Sequence, residues 1–119
     1  MAPRANSVVV VLVTCANEEQ GASIARSLVS ERLAACVNLV GGIRSIYRWR
    51  DQLEDDRETL LLVKTRTQLL ARVERRVREL HTYEVPEVVA LRVYRGSKPY
   101  LDWLFESTAE RSRRKAPEP

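Results

Sequence analysis

Within seven residues the chain gathers its one histidine, a phenol and two carboxylates: His81, Tyr83, Glu84 and Glu87. Imidazole with carboxylate is a donor set suited to copper, zinc or nickel, and Glu58 is a further carboxylate that could join it. Cys15 would add a soft donor. It ends a run of β-branched residues just before a helix start, a place that lowers a thiol pKa. The first expectation is therefore a metal site drawn from His81, Glu58, Glu84, Glu87 and Cys15, with Cu(II) or another divalent ion as a bound but not obligatory cofactor. Each member has a structural alternative: a histidine that braces a loop, a thiol in the core, carboxylates in water. Glu84 and Glu87 also flank Pro86 as an acid–base pair would. Lys64, at a strand end, is either an anion ligand or a lysine whose stem lies along apolar surface. Cys36, on an apolar strand, reads as core.

The elements that must position these groups follow from periodicity. Residues 7–15 are nearly all β-branched, as in a strand covered on both faces. Asn17 is a helix N-cap with Gln20 three residues on, and Ile24, Ala25, Leu28 and Val29 give helical spacing over 18–32. A second strand starts over 34–40. Gly41-Gly42 marks a bulge rather than an end, and 43–50 continues with Ser45, Tyr47 and Trp49 on one face. Residues 51–57 are polar and read as turn. A third strand spans 58–65, a second helix 67–80, a proline-broken loop 81–86, a fourth strand 87–94 and a last helix 99–111. The order β-α-β-β-α-β plus a C-terminal helix is the ferredoxin-like, split β-α-β arrangement, an α+β antiparallel sheet with a long hairpin between its second and third strands. Strands 1 and 2 then run parallel, with Cys15 and Cys36 at opposite ends of the sheet, too far apart for a disulfide.

The 119 residues fit one domain, expected over 1–110. The net charge of +4 could suggest nucleic acid. However, Arg111, Arg113, Arg114 and Lys115 against Glu118 put +3 of it in the tail 111–119, which reads as solvated and disordered. An RNA-recognition domain would also need aromatics on its central strands, and strands 1 and 3 have none. A phosphate-handling enzyme of this fold would need a glycine-rich, arginine-bearing loop after strand 1, where Thr14-Cys15-Ala16-Asn17 stands instead. No run approaches the ~20 apolar residues of a membrane helix. The expectation is a cytoplasmic protein with reduced thiols, no nucleic-acid partner and no membrane partner.

With helices on one sheet face, the other would present strand-1 valines and part of 60–63 to water. Such patches mark interfaces, and Tyr47 and Trp49 near the hairpin tip are the aromatic anchors interfaces favour. The alternative is that both pack within their own subunit.

Five segments in this order resemble the CutA (divalent-cation tolerance) family: Arg32-Leu33-Ala34-Ala35-Cys36-Val37-Asn38, Ser45-Ile46-Tyr47-Arg48-Trp49, Leu62-Val63-Lys64-Thr65, His81-Thr82-Tyr83-Glu84-Val85-Pro86-Glu87 and Tyr100-Leu101-Asp102-Trp103-Leu104. Together they span about residues 8–107. Asp51 stands where the family usually has glycine at the hairpin turn, and Thr82 where it has proline. The resemblance implies a homotrimer of sheets around a three-fold axis, similar in architecture to PII signalling proteins. It further implies a cytoplasmic role in the response to metal ions, copper binding in some members, and no enzymatic activity. It places a pocket between subunits, near the 81–87 loop, with Tyr47, Trp49, Lys64, Tyr83 and Trp103 as candidate lining. A PII-like small-ligand module without a metal role is the competing expectation.

Overall fold

The computed structural model describes residues 7–109, so the tail expected over 111–119 and the domain limit expected at 110 lie outside the described residues. Four strands, β1 (Val8–Cys15), β2 (Cys36–Trp49), β3 (Gln52–Arg66) and β4 (Val89–Arg92), form one sheet in the order β2-β3-β1-β4. Every neighbouring pair is antiparallel. Helices α1 (Glu18–Ser30), α2 (Leu70–Leu80) and α3 (Lys98–Ser107) complete the ferredoxin-like arrangement.

Helix α1 starts where expected, because the Asn17 side chain accepts from the Gln20 amide at 2.8 Å and Glu18 and Glu19 meet the positive end of the helix dipole. It stops two residues early. Arg32 enters the left-handed region at φ 62°, and the Leu33 and Ala34 amides fold back on the Leu28 carbonyl. The second helix begins with a 3-10 turn at Thr67–Leu69 before α2 proper. Arg76 of α2 grips the Glu31 carboxylate with Nε and Nη2 at 3.0 and 2.9 Å, tying the two helices together.

Period two divides the sheet. Val9, Val11, Val13 and Cys15 of β1 join Leu61 and Val63 of β3 in a core under Ile24 and Leu28 of α1 and Val73 and Val77 of α2. Each such buried aliphatic side chain contributes about 1.5–3 kcal/mol. On the second face, α3 covers only one end, through a smaller cluster of Val8, Ala35, Leu101 and Leu104. The rest of that face is open: Leu12, Leu60 and Leu62 are half-buried, while Val40, Val89 and Leu91 are exposed.

The main departure from the sequence-based expectation is the hairpin. Residues 52–57 are strand, not turn, and β3 is 15 residues long. The connection is just Arg50 and Asp51, both left-handed at φ 51° and 64°, a type I′ geometry that matches strand twist. Polar residues that read as turn instead satisfy one another across the strands. Arg44 donates twice to Asp55, at 2.8 and 2.7 Å, and the Tyr47 hydroxyl donates to Asp56 at 2.6 Å. Both are diagonal cross-strand pairs. The expected bulge is present between Val40 and Ile43, with Gly42 at φ 68°. Strand β4 and helix α3 are shorter than the 87–94 and 99–111 expected.

Cys15 pairs with Thr59 and Cys36 with Lys64, on opposite sides of β3. That register leaves roughly 17 Å between them along the strand direction, and both thiols are free.

Asp51 carries a side chain in the left-handed region, which costs most residues about 1–2 kcal/mol and aspartate less. Asp51→Gly is expected to stabilise the protein by about 0.5–1 kcal/mol in urea denaturation. No gain would mean that the turn is not strained.

Candidate functional site

Glu58 sits where β3 leaves the domain sheet. Its neighbour Thr59 faces Cys15, the last residue of β1, so Glu58 itself pairs only with Ile43 of β2. It is 6% exposed, and its Oε2 accepts from the Tyr83 hydroxyl at 2.5 Å. Pairing of Ile43 with Glu58, Ser45 with Asp56 and Trp49 with Gln52 puts Ser45, Tyr47 and Trp49 on the same side as Glu58 and Asp56.

The loop after α2 supplies the opposite wall. His81 follows the last helical residue in extended conformation and fixes this loop with both ring nitrogens. Nδ1 accepts from the Tyr83 amide at 3.0 Å. An amide can only donate, so Nδ1 is unprotonated and Nε2–H donates to the Thr14 carbonyl at 2.7 Å. The His81 and Tyr83 rings lie 4.5 Å apart. His81 is thus a brace between the end of β1 and the loop. Either nitrogen could bind a metal only by releasing one of these partners.

Between the hairpin and the loop lies a cleft of about 730 Å³. Glu58, Glu84, Glu87, Tyr47, Trp49 and Tyr83 line it, so six of the expected site residues do converge. Glu84 is held by Arg50 at 2.7 Å, an exposed pair of little energetic weight. The Arg50 guanidinium also lies over the Trp49 ring, 5.1 Å from its centroid. Among the described residues no ion pair neutralises Glu58, Asp56 or Glu87. Burial, and then the charge of Glu58, raise the Glu87 pKa. The Tyr47 pKa is pushed up to about 12, mainly by its bond to Asp56. That of Tyr83 is raised further by burial and by its bond to Glu58. Both phenols therefore stay protonated and serve as hydrogen-bond donors to these carboxylates.

Four expected members stand elsewhere or act otherwise. Cys15 points into the helix-side core and is fully buried. Its pKa is pushed up to about 11 by burial and then by Glu58, which fits the core thiol and not the activated thiolate of the two readings its strand-end position allows. Lys64 lies six residues along β3 from Glu58, opposite Cys36 and Val10, roughly 20 Å from the cleft. Trp103 is on α3, stacked at 5.4 Å on Tyr100. His81 braces. Among the described residues no group of three or more His, Cys, Asp or Glu side chains forms a metal cage within one protomer. Asp56, Thr14 and Arg50 were not singled out from sequence, and Ser45 was placed only on the hairpin face of Tyr47 and Trp49. The alternation of Glu54, Asp56 and Glu58 was the available signal for a strand face.

A ferredoxin-like sheet with an overhanging hairpin and an acidic, aromatic cleft at its base defines a small α+β domain. The chain belongs to the CutA1 divalent ion tolerance protein family, whose model matches residues 9–107. It is 54% identical over 99 residues to the divalent-cation tolerance protein CutA of Thermus thermophilus, covering 83% of this chain and 96% of that one. It is 49% identical to the chloroplastic CutA protein of Arabidopsis thaliana, covering 84% of this chain and 55% of that longer one. The solved Thermus thermophilus Cut A1 structure superposes with a TM-score of 0.83 at 52% identity, over 86% of this chain and 99% of that one.

If His81 is a brace, His81→Ala removes two hydrogen bonds of about 1 kcal/mol each. A loss of about 2 kcal/mol in urea denaturation is expected. Unchanged stability would show that the loop holds without it.

Proposed function

We propose that this protein is a non-catalytic, cytoplasmic homotrimer that responds to divalent cations by binding them at the carboxylates of the cleft. The observation that carries this reading is the pair Glu58 and Glu87, close enough for one to raise the pKa of the other and without a cationic partner among the described residues. Oxygen donors of this kind suit hard ions such as Mg(II), Ca(II) or Mn(II), with water completing the shell. Copper(II) would favour the imidazole, which His81 already gives to Thr14 and Tyr83. The family's name for divalent ion tolerance supports the cation. Phenols held protonated and a carboxylate held by Arg50 leave no activated nucleophile in the cleft, which favours binding over catalysis.

The open sheet face supports assembly. Val89 is 48% exposed and Leu91 52%, beside half-buried Leu12 and Leu62. Contiguous apolar surface and the outer edges of β2 and β4 call for a second copy. Three copies would bring hairpins and 81–87 loops of neighbours together, with Lys64 and Trp103 available to the inter-subunit pocket. The two free thiols suit a reducing compartment such as the cytoplasm. A PII-like small-ligand role is favoured by the aromatic share of the lining.

Light scattering is expected to give three times the 13.7 kDa chain mass, and Leu91→Glu to lower it. A monomer for the unsubstituted protein would end the trimer reading. For the cation, calorimetry on untagged protein should show Mn(II) binding that weakens at least tenfold in Glu87→Gln. A proton on Glu87 competes with the cation. Affinity should therefore rise with pH from the ordinary glutamate value of 4.5 upward. No change with either pH or substitution would remove the carboxylates from the site.

A further inference from the structure

The cleft is larger and more aromatic than a bare ion requires. Its 730 Å³ equals roughly two dozen waters at ~30 Å³ each, and its walls include three aromatic rings beside the acids. One rim shows how the rings can be used. A guanidinium, that of Arg50, already stacks on Trp49 at 5.1 Å while pairing with Glu84 at 2.7 Å. An organic cation held by one aromatic face and one carboxylate is therefore present at the tip. Deeper in the cleft the same elements recur without a cation. Glu58 is 6% exposed, Glu87 lines the same cleft, and the Tyr83 and Tyr47 hydroxyls are turned to Glu58 and Asp56.

We propose that the cleft is a binding site for a primary organic ammonium ion, its head between Glu58 and Glu87 and its alkyl part along Trp49 and Val85. Three N–H donors on a compact head match the oxygens of two carboxylates that line one cleft. The adjoining rings favour a cation over a neutral guest. Val85, 65% exposed, offers apolar surface beside Trp49 that a metal ion would leave wet. The proposal shares with the previous section the reading of the cleft as a cation site, and is independent of whether a metal binds there. A metal and an ammonium ion that use the same two carboxylates exclude one another.

The test uses the full-length protein, with Trp49→Phe as the control that identifies how much of the indole signal comes from the cleft. Butylammonium chloride is titrated at constant ionic strength while indole fluorescence is followed, with pentan-1-ol as the uncharged analogue. A saturable response to butylammonium, absent with pentan-1-ol, is expected. It should weaken about tenfold in Glu87→Gln, since one charge-assisted hydrogen bond is lost at an exposed position that folding does not depend on. Arg50→Ala should leave binding intact or tighten it, because a competing guanidinium is removed from Trp49. Equal responses to the amine and the alcohol would reveal an apolar groove only and overturn the proposal. So would no response to the amine, including the case where a neighbouring subunit's side chain fills the cleft. Mn(II) binding without butylammonium binding overturns this inference and leaves the metal reading standing. Butylammonium binding without Mn(II) binding does the reverse.

Discussion

Glu58 is removed from water at the one place where the hairpin, the end of β1 and the loop after α2 meet, and the Tyr83 hydroxyl is its hydrogen-bond partner. Burying a carboxylate costs several kcal/mol unless polar partners offset it. Tyr83 can be that partner only if its own backbone is fixed, and the His81 ring does the fixing by accepting the Tyr83 amide and donating to Thr14. The chain of dependence then runs back to α2. Its length sets where His81 emerges, and Val73 and Val77, packed under the sheet, set the helix position. A group that looks like a metal ligand in isolation thus works as the hinge pin of a buried acid.

The second constraint is geometric. A sheet covered by α1 and α2 on one face and by α3 on only part of the other cannot be a finished surface, because alternation places as many aliphatic side chains on the open side. The hairpin follows from the same alternation. After the Gly41-Gly42 bulge, β2 and β3 continue together past the last residue of β1, with their inner row carrying Tyr47, Trp49, Asp56 and Glu58. An overhang that long survives as a two-stranded ribbon because its polar residues pair diagonally and its turn has the right hand. The cleft is therefore a product of one hairpin.

Much of this was legible in the sequence where information is local. The Asn17 cap, the aliphatic run of β1, the stripe of α2 and the glycine pair of the bulge each specify their own conformation, and the element order specifies the sheet. What was not legible depended on partners distant in sequence. Asp55, Asp56 and Arg57 read as turn residues because nothing local reveals that Arg44 and Tyr47 lie across from Asp55 and Asp56. Cys15 reads either as a reactive thiolate or as a core thiol because a strand end before a helix does not state which face it occupies. Counting in twos from Val9, Val11 and Val13 assigns it to the core. The two partners of His81 lie on different elements, and a lone histidine carries no sign of them.

The order of the cleft rests on the bond between Glu58 and Tyr83, and a double-mutant cycle measures it most directly. Glu58→Gln, Tyr83→Phe and the double variant would be compared with the unsubstituted protein in urea denaturation at one fixed protein concentration, so that any self-association contributes equally to all four. A coupling free energy of about 1–2 kcal/mol is expected, as for a hydrogen bond to a buried charged group. Additive losses, with coupling below about 0.3 kcal/mol, would mean that the buried acid does not depend on the loop and that the cleft is not organised as described.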